Sequence, residues 1–227
     1  EIVRRLVGSD MCIRDRVYGT SYHGLVQRAK INKQDEVLVL GAAGGVGLAA
    51  VDIAKSFGAR VVAAVSTKEK AEVCKGYGVD DVVIYGEEKL DKEGQKALTK
   101  ELKSKSVRGG FSIIYDPIGD CFAEPALRSI SWGGTYLVVG FAAGKIPLFP
   151  TNLMLLKGCA VSGVFIGRFQ QEEPQQNAQN LKEIGELLGS GKLTPFISET
   201  IPMSESVDAI ERIAKRGVVG KVVFIND

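Results

Sequence analysis

Gly41-Ala42-Ala43-Gly44-Gly45-Val46-Gly47 is the segment whose residue types and spacing most plainly suit a chemical task. It follows the apolar run Val37-Leu38-Val39-Leu40 and precedes Leu48, Ala49, Val51, Ile53 and Ala54, which read as a helix ending before Gly58. A strand, a glycine turn and a helix in that order offer a phosphate free backbone N–H groups and the positive end of a helix dipole. Glycines at 41, 44 and 47, with Gly45 as an additional opening, let the phosphate approach without a Cβ in the way. Inside a βαβ unit of roughly 30 residues this is the setting of a dinucleotide fingerprint. The alternative is that the glycines merely permit tight helix–strand packing.

The second apolar run ends at Val65-Ser66-Thr67, where an acid that binds the ribose 2′-OH of NAD would stand about 20 residues past the turn. No acid is there. Ser66 offers a hydroxyl instead, and Lys68 and Lys70 bring positive charge to the place where the 2′-phosphate of NADP would lie. A charge-assisted hydrogen bond contributes roughly 1.5–3 kcal/mol, enough for one lysine to decide the preference. The alternative is that both lysines are solvated residues of a helix first turn.

Other chemistries fail on detail. His23 is the only histidine, which excludes a His-rich zinc site and leaves one candidate base. Ser21 lies two residues from it, so the two point to different sides of a helix, and no GxSxG elbow is present. His23 reads as a packing or interface residue. Gly189-Ser190-Gly191-Lys192 resembles the end of a phosphate-binding loop, but Leu193 stands where Ser or Thr is required and Glu186 where the first glycine should be. It reads as a helix C-cap. Cys12, Cys74, Cys121 and Cys159 contain no CxxC pair, which suits buried thiols in a reducing compartment.

The elements that must position these residues alternate. Tyr22, Leu25, Val26 and Ala29 carry helical spacing. Strands are expected at 37–40, 61–65, 82–85, 112–115, 135–139 (after a Gly133-Gly134 turn) and 160–164. Helices fall at 68–77, 91–105 and 122–129, with a short segment at 152–156. Six strands alternating with helices imply an α/β fold, a doubly wound parallel sheet of the Rossmann type, in strand order 3-2-1-4-5-6. After Gly167 the chain turns polar, with five glutamines in 169–179; a helix carrying Leu181, Ile184, Leu187 and Leu188 follows, then 196–201, a helix over 207–214 and a last strand at 222–225. These do not fit a six-stranded sheet and suggest a neighbouring domain.

Of 227 residues, 45% are hydrophobic and 25% charged, with a net charge of only +2. There is no basic stripe to drive nucleic-acid binding and no run near the ~18 apolar residues of a membrane span. The opening residues lack the apolar region of a signal peptide, so a cytoplasmic protein is expected. Met11-Cys12-Ile13-Arg14-Asp15-Arg16 resembles the translation of a transposon end used in sequencing libraries, so residues 1–16 are read as non-native sequence.

Several motifs together resemble one family: Gly19-Thr20-Ser21-Tyr22-His23, the turn 41–47, Tyr115-Asp116-Pro117-Ile118-Gly119, Gly133-Gly134, Val139-Gly140-Phe141-Ala142, Gly163-Val164-Phe165 and Gly220-Lys221-Val222-Val223. Residues 17–227 are similar to the zinc-independent medium-chain dehydrogenases/reductases, specifically the NADPH:quinone oxidoreductases and quinone oxidoreductase-like proteins. The resemblance implies that Gly44, Gly45 and Val46 hold a pyrophosphate. It places Ser66, Lys70 and Tyr85 around a 2′-phosphate, Phe141 and Phe165 along the nicotinamide and its ribose, and Thr20 near the nicotinamide. Tyr85 could equally end a core strand, and Phe165 could simply be buried. It further implies residues 17–36 as a linking helix, 37–167 as the dinucleotide domain and 168–227 as partly returning to a GroES-like catalytic domain. Most of that domain would precede this sequence, so the chain is read as truncated at its N-terminus, with no catalytic residue identified, no metal, and NADPH as cofactor. The expected substrate is a small molecule, a quinone or an α,β-unsaturated carbonyl, and the expected assembly is a homodimer through the 159–164 edge strand. An enoyl reductase of the same superfamily and a non-catalytic NADPH-binding sensor or structural protein remain the alternatives.

Overall fold

Val37, Val39, Leu38 and Leu40 point alternately to two faces of one strand, and all four are fully buried. Such a strand requires cover on both faces, which a parallel sheet wound by helices provides. The computed structural model, which describes residues 13–214 and 219–225, has this form. Its six parallel strands are β1 (Glu36–Leu40), β2 (Arg60–Val65), β3 (Asp81–Ile84), β4 (Phe111–Asp116), β5 (Ile130–Val138) and β6 (Ala160–Gly163). Their order is β3-β2-β1-β4-β5-β6, the order expected from right-handed crossovers.

The helices are α1 (a π-helical segment Ile13–Tyr18, an α-helical turn Gly19–Tyr22 and a second π-helical segment His23–Arg28), α2 (Gly45–Ser56), α3 (Lys68–Gly76), α4 (Lys92–Lys105), α5 (Ala123–Arg128), α6 (Thr151–Lys157), α7 (Ile166–Glu172), α8 (Pro174–Gly189) and α9 (Ser206–Ala214). One side of the sheet, with Val37, Val39, Val61, Ala63 and Tyr115, packs against α1 and α2. The other, with Leu38, Leu40, Val62, Ala64 and Tyr136, packs against α4 and α5. Strands β7 (Ile197–Pro202) and β8 (Lys221–Ile225) form a separate two-stranded parallel sheet. The turn after β1 meets the residue before β8 in an isolated bridge between Gly44 and Gly220.

One expectation is corrected. Gly133-Gly134 is not a turn before a strand but lies within β5: Phe111 pairs with Ile130 and Ile113 with Thr135, so the extra residues bulge out. Gly133 has φ +73°, and a Cβ on Gly134 would stand 2.7 Å from Ile130 Cγ1. The polar stretch after Gly167 is helical, in α7 and the start of α8, because Phe169, Asn180 and Ile184 are enough to bury one side of an otherwise solvated pair. Of the segment 1–16, residues 1–12 lie outside the described residues, as does Cys12.

Candidate functional site

In a parallel sheet every strand ends at the same edge, so residues following β1 to β6 are gathered there however far apart they are in sequence, with the order reversing between β1 and β4. The turn after β1 is built by two of its glycines. Gly41 has φ +56°, and a Cβ on it would stand 2.7 Å from Ile118 Cγ2. Gly47 lies so close to the Gly41 carbonyl that a Cβ would collide with it, and with Ala42 Cα at 2.8 Å. Packing therefore explains these two.

Gly44 and Gly45 are different. Gly44 is the exposed N-cap of α2, and no side chain caps that helix end. Among the described residues, then, the first-turn amides of α2 have neither an intrahelical nor a side-chain acceptor, and they lie at the positive end of a twelve-residue helix. That end is suited to an anion. Gly220 N donates to Ala43 O at 2.9 Å, and a Cβ on Gly45 would lie 3.0 Å from Lys221 Cε, so the start of β8 borders the same turn.

Asp116, at the end of β4, holds the opposite wall. One carboxylate oxygen accepts the N–H groups of Ile118 and Gly119, both at 2.8 Å, and the other accepts the Tyr136 hydroxyl at 2.6 Å. Burial raises its pKa above the usual carboxylate range, although these donors favour the charged form. The turn it fixes carries Ile118 against Gly41, and Gly119 against Phe141, whose Cδ1 lies 3.1 Å from where a Gly119 Cβ would stand.

After β2, Thr67 caps α3 by accepting the Lys70 N–H, and Lys70 Nζ donates to Ser66 Oγ at 2.9 Å. Tyr85 follows β3; its N–H donates to Val65 O, next to Ser66, and its ring lies 4.6 Å from that of Phe122. Ser66, Lys70 and Tyr85 are therefore brought to one corner. Thr20 is buried and donates its hydroxyl to Arg16 O within α1, whereas its neighbour Ser21 contacts Val46 O and Tyr115 Oη, each at 2.9 Å. Val46 thus meets α1 through Ser21, not through Thr20. Phe165 is not buried: it stands 74% exposed just before α7. Phe141 is partly exposed.

His23 stacks on Phe169 with ring centres 3.9 Å apart and bonds Gln27, and burial lowers its pKa. It packs, as its sequence setting suggested. Cys74 is buried, its thiol pushed up to about 12 by desolvation. Among the described residues no group of three or more His, Cys, Asp or Glu is arranged to hold a metal ion, and no helix is long and apolar enough to cross a membrane.

Sequence reasoning missed Ser21, Tyr115 and Asp116 as site builders. A signal was present for Asp116, an acid closing the apolar run Ile113-Ile114-Tyr115. None existed for the pairing of Ser21 with Tyr115.

Residues 45–183 match the family model described as zinc-binding dehydrogenase. The chain is 35% identical over 209 residues to the quinone oxidoreductase-like protein 2 homolog of Nematostella vectensis, and 34% identical over 210 residues to quinone oxidoreductase-like protein 2 of Bos taurus. Each alignment covers 91% of this chain, and the chain spans 55% and 57% of those relatives' lengths. A mycobacterial structure described as complexed with NADPH superposes with a TM-score of 0.82 at 25% identity, over 96% of this chain and 65% of that one.

Proposed function

The chain belongs to the zinc-binding dehydrogenase family, and on that premise we propose that it serves an NADPH-dependent oxidoreductase of the zinc-independent, quinone oxidoreductase-like kind, acting on a quinone or an α,β-unsaturated carbonyl. One observation carries this reading: an uncapped helix N-terminus at Gly44 and the Ser66–Lys70 pair lie along the same edge of the sheet. The first suits a pyrophosphate and the second a 2′-phosphate, at the strand-order reversal where open α/β sheets bind ligands. A Cβ on Gly44 would stand 3.3 Å from the Gly41 carbonyl oxygen, so a side chain there would crowd the turn.

In this reading the amides of Gly44, Gly45 and Val46 hold the pyrophosphate. Ser66, Lys70 and Tyr85 take the 2′-phosphate, while Thr20, Phe141 and Phe165 flank the nicotinamide and its ribose. NADPH, when bound, supplies the hydride. The residues of this chain bind and orient: Asp116 holds the turn that backs Gly41 and Phe141, and fixing reactants in register is itself a large part of catalysis. None of these roles uses a metal ion. Residues 37–167 form the dinucleotide domain in this reading; residues 17–36 are the linking helix from a GroES-like catalytic domain, and 168–227 partly return to it. Free thiols at Cys74, Cys121 and Cys159 suit the cytoplasm.

The test is fluorescence titration of this chain with NADPH and NADH, followed by NADPH oxidation assays of the full-length protein with a panel of quinones, enones and enoyl thioesters, since this chain alone is not expected to turn over. Binding of NADPH about tenfold or more tighter than NADH, with turnover of at least one acceptor, is expected. Saturable binding without turnover of any acceptor identifies a nucleotide-binding sensor instead. Absence of binding overturns the reading.

The same reading includes a homodimer through β6. That strand is outermost in the sheet, with Ala160 and Gly163 exposed. Leu148, Leu155 and Trp132, around this end of the sheet, are each more than three-quarters exposed. A bare edge beside apolar surface invites a second strand. Sedimentation equilibrium should find a dimer, and Val161→Lys with Ser162→Pro a monomer; an unmodified monomer at micromolar concentration rejects it.

A further inference from the structure

Tyr115, Ser21 and Val46 form a hydrogen-bond chain whose direction is set by chemistry. The Val46 carbonyl can only accept, so the single hydroxyl proton of Ser21 is directed to it, at 2.9 Å. In its 2.9 Å contact with Tyr115, Ser21 Oγ therefore accepts and the phenol donates. Both Tyr115 and Ser21 are completely buried. Burial also holds the phenol's pKa well above its ordinary value, which keeps that proton in place.

The chain joins three elements: β4, the α-helical turn of α1, and the first turn of α2. Thr20 immediately precedes Ser21. The Tyr115 ring also backs Gly24, where a Cβ would stand 3.5 Å from Tyr115 Cε2 and 3.3 Å from Val164 Cγ2, and Val164 immediately precedes Phe165. Tyr115 thus stands behind Thr20, Val46 and Phe165, while Ser66, Lys70 and Tyr85 follow β2 and β3, on the other side of β1.

We propose that Tyr115 is a positioning residue: through Ser21 its phenolic proton sets the first turn of α2 against the Thr20 turn of α1, and so governs binding of the pyrophosphate–nicotinamide half of a dinucleotide but not of its adenosine 2′-phosphate half. This rests on the NADPH reading above.

The test uses the full chain, Tyr115→Phe, Ser21→Ala and the double variant, each titrated with NADPH and with adenosine 2′-monophosphate and each melted thermally. Tyr115→Phe keeps the ring that backs Gly24. In each single variant the Kd for NADPH is expected to rise roughly fivefold, the net effect of one buried hydrogen bond, with the Kd for adenosine 2′-monophosphate unchanged. The double variant is expected to be no worse than the weaker single, because two hydroxyls acting in series are not additive. Equal weakening of both ligands, a lowered melting temperature with unchanged affinities, or additive losses in the double variant each overturn the proposal. Ser21→Ala carries the same expectations should Tyr115→Phe fail to fold. An unmodified chain that binds neither ligand removes the NADPH reading, and the proposal with it; binding with wild-type affinity in Tyr115→Phe removes the proposal alone.

Discussion

Lys70 reaches back across the first turn of α3 to place its ammonium 2.9 Å from the hydroxyl of Ser66, the first residue after β2. The contact brings a cation and a hydroxyl together where the ribose of a bound dinucleotide would end, with Glu69 on the same first turn of α3. Lys70→Ala is expected to cut the affinity ratio of NADPH to NADH by about tenfold or more, the scale of one charge-assisted hydrogen bond. Titration with both nucleotides reads it, and an unchanged ratio means the 2′-phosphate lies elsewhere.

The glycines of the turn separate into two kinds of variant. Gly47→Ala would drive a methyl into the Gly41 carbonyl and Ala42. Overpacking of this kind costs about 1–3 kcal/mol, and at about 2–4 °C per kcal/mol for a chain of this size the melting temperature should fall by several degrees. Gly44→Ala meets only the Gly41 carbonyl, at 3.3 Å, so it should melt near the unmodified chain yet bind NADPH more weakly. Calorimetry and titration on the same samples distinguish the two; equal melting losses would show that Gly44 also serves packing.

Asp116 should matter more to stability than its hydroxyl partner. Tyr136→Phe removes one of three donors from a buried carboxylate and should cost about 1–3 kcal/mol. Asp116→Ala leaves the Ile118 and Gly119 amides and the Tyr136 hydroxyl all without their acceptor, and should cost more than Tyr136→Phe. Urea unfolding of both variants measures the difference, and the reverse ranking would place the weight of the network on Tyr136.

The lone histidine gives a pH test with a definite sign. Burial places the folded-state pKa of His23 below its ordinary 6.5, assisted by nearby Arg28 and opposed by its bond to Gln27 and by Glu173. Between those two pKa values the unfolded chain binds more protons than the folded one, so stability rises with pH through that window and is lost as pH falls below 6.5. His23→Phe keeps a ring against Phe169 and removes the titration. On acidification from about pH 7.5 to about pH 5.5 the unmodified chain should lose more stability than the variant. Taking the difference cancels the opposite contribution of Asp52 and Asp116, whose pKa values are raised mainly by burial. Parallel losses in both proteins would show that His23 is not the group responsible.

The sequence by itself determined the six strands, their order and the edge at which the candidate site gathers. These follow from local rules: apolar runs such as Val37–Leu40 need cover on both faces, the helices between them force parallel crossovers of one hand, and residues after such strands, from Gly44 to Phe141, must then share one edge. Turn chemistry was legible for the same reason at Gly47, which acts on Gly41 and Ala42 only a few residues away, whereas the meeting of Gly41 with Ile118 is a contact of the tertiary structure. Only the tertiary structure decided which side chains meet. Ser21 and Tyr115 are 94 residues apart, and no periodicity in either segment records that α1 lays one hydroxyl over the other. Gly133-Gly134 reads as a turn locally and becomes a bulge because β4 pairs on both sides of it. Thr20 donates within its own helix while Ser21 takes the contact with Val46, because the packing of α1 across Tyr115 and α2 fixes which face of that one turn looks inward.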